Sequence, residues 1–167
     1  MTQDAHYLSA IAAFGPALVR LVGTYEEDAD QRRDLLQDMN LALWRSFAGY
    51  RGQCSLRTWV YRVAHNTAIS ARLRRPRARL VSLEELADTP APGDPEEAAG
   101  QAHVLARLRT LIRCLVPPDD QVMLLYLEDH DAASIAEITG LSAGAVATRI
   151  HRVKQLLSRR FHQGEAP

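Results

Sequence analysis

An arginine-rich stretch interspersed with aromatic side chains is the part of the sequence whose residue types point most directly to a chemistry. Residues 55–79 read SLRTWVYRVAHNTAISARLRRPRAR and contain no carboxylate. Guanidinium groups hold phosphates, and aromatic rings beside them can stack on unpaired bases. The stretch therefore predicts contact with nucleic acid that exposes unpaired bases. The alternative that stays open is that Trp59 and Tyr61 are core residues of a helix.

Basic and acidic side chains are segregated into different segments of the chain. Its 167 residues have a formal net charge of zero, yet residues 51–79 and 138–164 contain basic side chains and no acidic ones. The stretch between 80 and 106 is acidic and contains no lysine or arginine. Because phosphate binding depends on local charge density, two separated basic blocks predict two contact points on a polyanion. Charge alone leaves open that both blocks are solvated helix faces.

A second candidate for nucleic-acid binding is the stretch AASIAEITGLSAGAVATRIHRVKQLL, residues 132–157. Ala136, Gly140 and Val146 have the spacing of a helix-turn-helix, with a small residue at the crossing, a glycine in the turn and a branched residue in the second helix. Ser142 is placed to cap that second helix. Such a helix can lie in a DNA major groove. A helical hairpin with a basic outer face is the alternative.

Apolar spacing gives the second helix of this motif two faces. Val146, Ile150, Val153 and Leu157 recur at intervals of three and four, which predicts one buried stripe. The remaining side chains turn to solvent, where a DNA-binding helix meets base edges and phosphates. The predicted contact residues are Ser142, Ala145, Thr148, Arg149, Arg152 and Lys154.

Apolar residues recur three and four positions apart through most of the chain, and the alternation typical of strands is absent. The whole chain is therefore predicted to be helical. A first helix is expected at about 4–14, and a second is expected to begin at Gly15 and Pro16, because proline suits the first turn of a helix. Further helices are predicted at about 31–47, 56–75, 101–115, 118–128, 132–139 and 143–161. In the 31–47 helix, the spacing predicts that Leu36, Met39, Leu43 and Phe47 face inward.

Composition separates these helices into two groups. Residues 87–100, ADTPAPGDPEEAAG, contain three prolines, two glycines and no large apolar side chain, which is typical of a linker. The predicted fold class is all-α, with two small helical domains, 1–80 and 104–163, joined by a flexible acidic linker over 81–103. The C-terminal domain is the one that contains the helix-turn-helix.

Several classes of protein are disfavoured. No uninterrupted apolar run is long enough to cross a bilayer, and Asp4 and His6 stand where a signal peptide would be basic, so we expect a cytoplasmic protein without membrane insertion. Cys54 and Cys114 fit neither a paired metal site nor a disulfide framework. No catalytic motif or phosphate-binding glycine loop is present. We therefore expect no metal, no cofactor and no enzymatic activity.

Two segments resemble one known family. DLLQDMNLALWRSFAGYRGQCSLRTWVYRVAHNTA, residues 34–68, resembles the core-binding and promoter-melting segment of bacterial sigma factors. LVPPDDQVMLLYLEDHDAASIAEITGLSAGAVATRIHRVKQLL, residues 115–157, resembles their promoter-recognition segment. Both occur in the family's order. With only these two units and a short linker, the chain is similar to the compact extracytoplasmic-function group of the sigma-70 family.

The resemblance implies a dissociable subunit that directs core RNA polymerase to promoter DNA. It implies polymerase contacts at Asp34, Gln37, Asp38 and Leu41. It implies that the connector 48–55 and the following helix open and read the minus-ten element, through Arg57, Trp59, Arg62, His65, Asn66 and Arg72. The helix from Ser142 to Lys154 would read the minus-thirty-five element. An anti-sigma protein is a further implied partner.

Two alternatives belong to different classes. A repressor or response-regulator output domain would use the helix-turn-helix without needing residues 34–68, and binding to core polymerase separates it from a sigma factor. An enzyme would have to use some of the six histidines with a cysteine, and no spacing assigns a base to Cys54. Because Cys54 lies in the connector, its oxidation could disturb promoter opening, whereas the simpler interpretation is an incidental reduced thiol.

Overall fold

The chain folds into two compact helical units. A computed structural model describes residues 2–74, 81, 82, 85 and 101–162, with side chains described over 108–159 of the last range. Unit 1 is Met1–Ala78 and unit 2 is Arg79–Pro167. The described residues form α1 (Gln3–Tyr25), α2 (Ala29–Ser46), α3 (Leu56–Leu73), α4 (Gln101–Cys114), α5 (Asp119–Leu127), α6 (Ala132–Thr139) and α7 (Ala143–His162).

The predicted all-α fold is confirmed. Helices α2 to α7 begin and end within about two residues of the bounds that periodicity predicts, as far as helix ends can be defined. In the described part of the chain the β-type pairing is an isolated bridge between Val81 and Leu115. Local spacing of apolar residues was therefore sufficient to place these elements.

The predicted helix break at Gly15 and Pro16 is wrong, since α1 runs through both residues. A proline inside a helix removes one hydrogen bond and crowds the preceding residue. Gly15 has no Cβ for the proline ring to meet, which lowers that crowding. Ala10 before the proline and Leu18 after it are both buried, so one continuous helix keeps both in the same core.

Unit 1 is a bundle of α1, α2 and α3. On α2 the buried residues are Leu35, Met39 and Leu43, and Phe47 follows them at the C-cap. Leu36, which was predicted to face inward, is only half-buried because Leu35 takes the core position. The other fully buried side chains of this core include Leu18, Leu21, Val60 and Ala64.

Helix α1 is also long and apolar enough to cross a membrane, by length and composition only. Its inner face supplies Leu18, Leu21, Val22 and Tyr25 to the core of unit 1. The core helix of a folded domain commonly has this composition. Only part of α1 is buried in this way, since Leu8 is 66% exposed.

Unit 2 packs α5, α6 and α7 around Val122, Ile135, Val146 and other buried aliphatic side chains. Gly140 ends α6 with φ of 77°, a left-handed conformation that glycine adopts without a Cβ penalty. Val81 lies against this unit, since its N–H donates to the Cys114 carbonyl at 2.7 Å and its carbonyl accepts from Val116 N–H at 3.1 Å. The predicted linker 87–100 lies outside the described residues.

Candidate polymerase and nucleic-acid interfaces

The outer face of α2 contains the four residues predicted to contact polymerase. Asp34, Gln37, Asp38 and Leu41 are all exposed, and their spacing places them on one side of the helix, opposite Leu35, Met39 and Leu43. Leu41 is 45% exposed, which is unusual for a large apolar side chain in a small domain. This face presents carboxylates around an apolar centre and is available to a partner protein.

A groove of about 470 Å³ runs between α2 and α3. It is lined by Asp38 and Leu41 from α2 and by Asn66 from α3, together with Arg45 and Arg74. Asn66 was predicted to contact DNA, whereas Asp38 and Leu41 were predicted to contact polymerase. The structure thus brings one residue of the first group beside two of the second.

Two residues of α3 that were predicted to contact DNA, His65 and Arg72, are buried inside unit 1 rather than exposed. His65 has no exposed surface, and its Nδ1 lies 2.8 Å from the Tyr25 hydroxyl oxygen. Arg72 is also buried, with its guanidinium carbon 6.0 Å from the centre of the Tyr25 ring. Tyr61 is buried and stacks on His65, with ring centres 6.2 Å apart. These side chains point inward because α3 packs on both α1 and α2.

The remaining predicted residues of α3 reach the surface. Arg57 and Asn66 are exposed, and Arg62 is half-buried. The Arg57 guanidinium carbon lies 5.7 Å from the centre of the Tyr61 ring, within cation–π range. Arg57 and Asn66 are therefore fully accessible to a partner, and Arg62 is partly accessible.

Trp59 joins the connector to the bundle. Its ring is half-buried, its Nε1–H donates to Ser46 Oγ at 2.9 Å, and its centre lies 5.2 Å from that of Tyr50. Tyr50 in turn donates from its hydroxyl to the Cys54 carbonyl at 2.9 Å. Trp59 thus has both a packing role and an accessible part. Cys54 is a free, half-buried cysteine, and its redox role stays a hypothesis.

Helix α7 has the two faces that its sequence predicts, except that Ile150 of the predicted buried stripe is only half-buried. Val146 and Val153 are fully buried, and Leu157 is nearly so. The residues predicted to meet DNA lie outside that stripe, with Ser142, Thr148, Arg152 and Lys154 exposed and Ala145 and Arg149 half-buried. Ser142 Oγ accepts from Ala145 N–H at 3.1 Å, which caps the helix as predicted.

Two basic side chains of α7 contact α5. Arg149 Nη1 donates to Asp119 Oδ1 at 2.5 Å. Lys154 Nζ donates to the Tyr126 hydroxyl at 3.1 Å and lies 5.2 Å from the centre of that ring. Neither pair could be predicted from the sequence, because the partners are 28 or 30 residues apart. Each becomes visible only once α5 and α7 are packed together.

A groove of about 710 Å³ lies beside α7, lined in part by Tyr126, His151, Lys154 and Arg159. His151 is exposed and is not among the residues that the sequence predicts to contact DNA. It follows Thr148 by three residues, which places it on the outer side of the helix. Among the described residues, no group of three or more His, Cys, Asp or Glu side chains could hold a metal ion.

Comparison with known proteins identifies the family to which this chain belongs. Residues 10–78 match the family described as sigma-70 region 2, and residues 105–157 match sigma-70, region 4. The two matches occur in this order, and together they span most of the chain. The chain belongs to the sigma-70 family of RNA polymerase sigma factors, in its extracytoplasmic-function group.

Similar proteins include the ECF RNA polymerase sigma factor SigG of Mycobacterium tuberculosis, 30% identical over 148 residues that cover 74% of this chain and 40% of SigG. The RNA polymerase sigma-H factor of Pseudomonas aeruginosa is 27% identical over 157 residues, covering 85% of this chain and 79% of that protein. The chain thus spans less than half the length of SigG and most of the length of the sigma-H factor.

The fold is also found in a solved structure, that of CnrH in complex with the cytosolic domain of CnrY. The similarity has a TM-score of 0.67 and covers 97% of this chain and 90% of that chain, at 21% sequence identity. At that identity the likeness establishes the fold.

Proposed function

We propose that this protein is a sigma subunit that binds core RNA polymerase, recognises a promoter at two elements and opens the DNA at the minus-ten element. The observation that carries the proposal is the occurrence of both sigma-70 regions in one chain, each with an exposed face suited to its partner. Sigma factors are regulatory subunits without catalytic activity of their own. The promoter supplies the sequence information and the core enzyme supplies the chemistry.

Unit 1 would dock on the polymerase through the exposed face of α2. Asp34, Gln37 and Asp38 surround Leu41 there, and a buried apolar anchor within a polar rim is the usual anatomy of a protein interface. The groove that continues to Asn66 would place the DNA-contacting residues of α3 next to the polymerase. Docking and strand opening would therefore take place on neighbouring parts of one surface.

Strand opening would depend on the connector 48–55 and the outer residues of α3. Arg57 and Arg62 would hold phosphates, and the accessible part of Trp59 would contact a base. Since His65 and Arg72 are buried, their contribution would be to hold α3 against Tyr25 in α1. The proposed contact set is therefore smaller than the set that the sequence predicts.

Unit 2 would read the minus-thirty-five element with α7. Ser142 and Ala145 lie at its N-terminal end, which meets base edges in docked helix-turn-helix proteins. Thr148, Arg149, Arg152 and Lys154 follow along the helix. Arginine can bond guanine in bidentate fashion, whereas lysine meets phosphate as a point charge.

An inhibitory protein partner and a cytoplasmic location complete the proposal. CnrH, whose fold this chain shares, was solved in complex with the cytosolic domain of CnrY. An anti-sigma protein would compete with polymerase for this chain, because each molecule bound to the inhibitor is withdrawn from the population that can bind polymerase.

Reconstitution tests the proposal directly. The purified full chain is added to sigma-free core polymerase on genomic DNA, and the transcripts are sequenced from their 5′ ends. The expected result is a stable complex and transcripts that start at discrete sites sharing two upstream elements. DNA binding without any binding to core would instead identify a stand-alone helix-turn-helix regulator.

A substitution at Trp59 tests the mechanism of opening. Trp59→Ala should leave binding to duplex promoter largely intact and lower the permanganate reactivity of unpaired thymines, since the stacking ring is lost. Trp59→Phe is the matched control, because it keeps an aromatic ring and removes only the hydrogen bond to Ser46. Equal reactivity of the Trp59→Ala complex and the wild-type complex would exclude a role for this ring in opening.

A further inference from the structure

Helix α7 is fixed to α5 by a polar contact at each end of α5. Asp119 is the first residue of α5 and holds Arg149, while Tyr126 lies in the last turn of α5 and meets Lys154. The two contacts differ in burial. The Asp119 side chain is 9% exposed and that of Arg149 is 33% exposed, whereas Tyr126 and Lys154 are both exposed. The first contact is therefore the one that solvent competes with least.

The phase of Arg149 on α7 explains this contact. Arg149 follows Val146 by three residues and precedes Val153 by four, and both valines are fully buried. Residues three and four apart share a helix face, so the Arg149 side chain leaves the helix on the side of the core. Thr148 and Arg152, which are four apart and both exposed, lie on the outer side.

The charge of Arg149 is neutralised where it stands. Asp119 is at the N-terminal end of α5, where the helix dipole favours a carboxylate. A guanidinium held by that carboxylate must leave it before it can replace a counterion at a phosphate. Arg149 thus differs from Lys154, whose contact partner is the uncharged hydroxyl of Tyr126.

We infer that Asp119 is a positioning residue of the recognition helix, and that Arg149 acts on DNA binding through Asp119 rather than by neutralising a phosphate. The inference rests on the proposed function and refines it at one residue. The ion pair fixes the rotation of α7 on α5, so that Thr148 and Arg152 present the correct edge to the base pairs. Lys154, on an exposed tyrosine, can leave Tyr126 and meet a phosphate.

The experiment uses the full chain bound to core polymerase. A pool of duplexes with a randomised upstream element is first enriched by the wild-type complex, which yields a selected duplex and a scrambled control. Affinity for both is then measured over a range of salt for the wild type, Arg149→Ala, Asp119→Asn, the double variant and Lys154→Ala. The preference for the selected duplex reports positioning, and the slope of log affinity against log salt reports phosphates neutralised.

The expected result separates the two roles. Arg149→Ala and Asp119→Asn should each lower the preference for the selected duplex by about three- to tenfold, with the double variant no worse than either. Neither should change the salt slope. Lys154→Ala should weaken binding to both duplexes alike and reduce the slope by about 0.9, the value for one lost phosphate contact.

Three results would overturn the inference. The first is a salt slope that falls by about 0.9 in Arg149→Ala. The second is an Asp119→Asn complex that keeps the wild-type preference. The third is additive losses in the double variant. A complex that enriches no sequence at all would instead refute the proposed function and with it this inference, so the two failures are distinguishable.

Two further variants guard against loss of folding. Arg149→Lys keeps a cation for Asp119 and should retain most of the preference. The charge swap Asp119→Arg with Arg149→Asp should recover preference relative to Arg149→Ala if the pair only sets the position of α7. If Arg149 contacted DNA, the swap would bring a carboxylate to a phosphate and bind worse. Far-UV circular dichroism of each variant checks that unit 2 is folded.

Discussion

Helices α3 and α7 are both predicted to contact DNA, and they bury very different fractions of their surface. Each begins at a serine that caps it, and each was predicted to present six residues of one segment to DNA. In α3 two of those residues, His65 and Arg72, are inside the unit. In α7 none of the six is buried.

The difference comes from the width of the arc that each helix buries, since each packs against two others, α7 against α5 and α6. Helix α3 lies against α1 and α2 and buries a wide arc that includes Tyr61, His65 and Arg72. The buried residues of α7 form a narrow stripe at Val146, Val153 and Leu157. Resemblance to a family locates a helix in the chain, but the packing of its neighbours decides how many of its polar residues remain outside.

The largest effect on stability in this comparison is expected from replacing the buried histidine of α3. His65→Ala should lower the free energy of unfolding of unit 1 by about 2–4 kcal/mol, since it leaves a cavity and removes the buried hydrogen bond between Tyr25 and His65. Both tryptophans of the chain, Trp44 and Trp59, lie in unit 1, so denaturant unfolding followed by tryptophan fluorescence reports this unit.

The neighbouring residue supplies the control for that measurement. Asn66 is exposed, and Asn66→Ala should change the stability of unit 1 by no more than about 0.5 kcal/mol. Equal destabilisation by His65→Ala and Asn66→Ala would mean that burial of His65 does not distinguish it from the exposed Asn66, and the contrast between the helices would be lost.

In unit 2 the largest effect is expected at the turn that precedes α7. Gly140 has φ of 77° with nothing near the position of a Cβ, so Gly140→Ala costs only backbone strain, about 1 kcal/mol. The thermal midpoint of unit 2 should fall by about 4–8 °C, as measured by far-UV circular dichroism.

A substitution at Gly144 is expected to change the stability of unit 2 in the opposite direction. It lies inside α7 with open space at its Cβ position, so Gly144→Ala should stabilise unit 2 by up to about 1 kcal/mol through helix propensity. Destabilisation by both substitutions would show that the turn is not what distinguishes the two glycines.

Effects of a size similar to that of Gly140→Ala are expected at the two capping serines. Ser142→Ala removes one bond to Ala145 N–H and should cost about 1 kcal/mol. Ser55→Ala should cost somewhat more, because Ser55 Oγ accepts from Thr58 N–H at 3.0 Å and also donates to Thr58 Oγ1 at 2.8 Å. Substituting each residue by threonine should restore most of the loss, measured in the same unfolding experiments.

Several parts of the fold followed from local spacing alone. The bounds of α2 to α7 could be predicted because their apolar residues recur at helical intervals and their ends carry Ser55, Gly140 or Ser142. The helix break at Pro16 was predicted wrongly because a proline in the interior of a helix normally destabilises that helix. Here Leu18 and Leu21 beyond the proline join the same core as Ala10 before it.

The candidate site was predictable to a similar degree. All four residues proposed for the polymerase contact are exposed, because their spacing places them opposite Met39 and Leu43. The pairing of Arg149 with Asp119 could not be foreseen, since nothing in either segment signals the other. Likewise, His65 reads as a polar surface residue until the Tyr25 hydroxyl is found beside it.

The sequence by itself determined the helical class, the two units and the family, because hydrophobic periodicity, capping residues and motif spacing are properties of contiguous chain. Only the tertiary structure decided which polar residues of those helices meet solvent and which meet another helix. The physical reason is that a buried histidine or a neutralised arginine depends on a partner far away in sequence, and such a partner is brought close only when the helices pack.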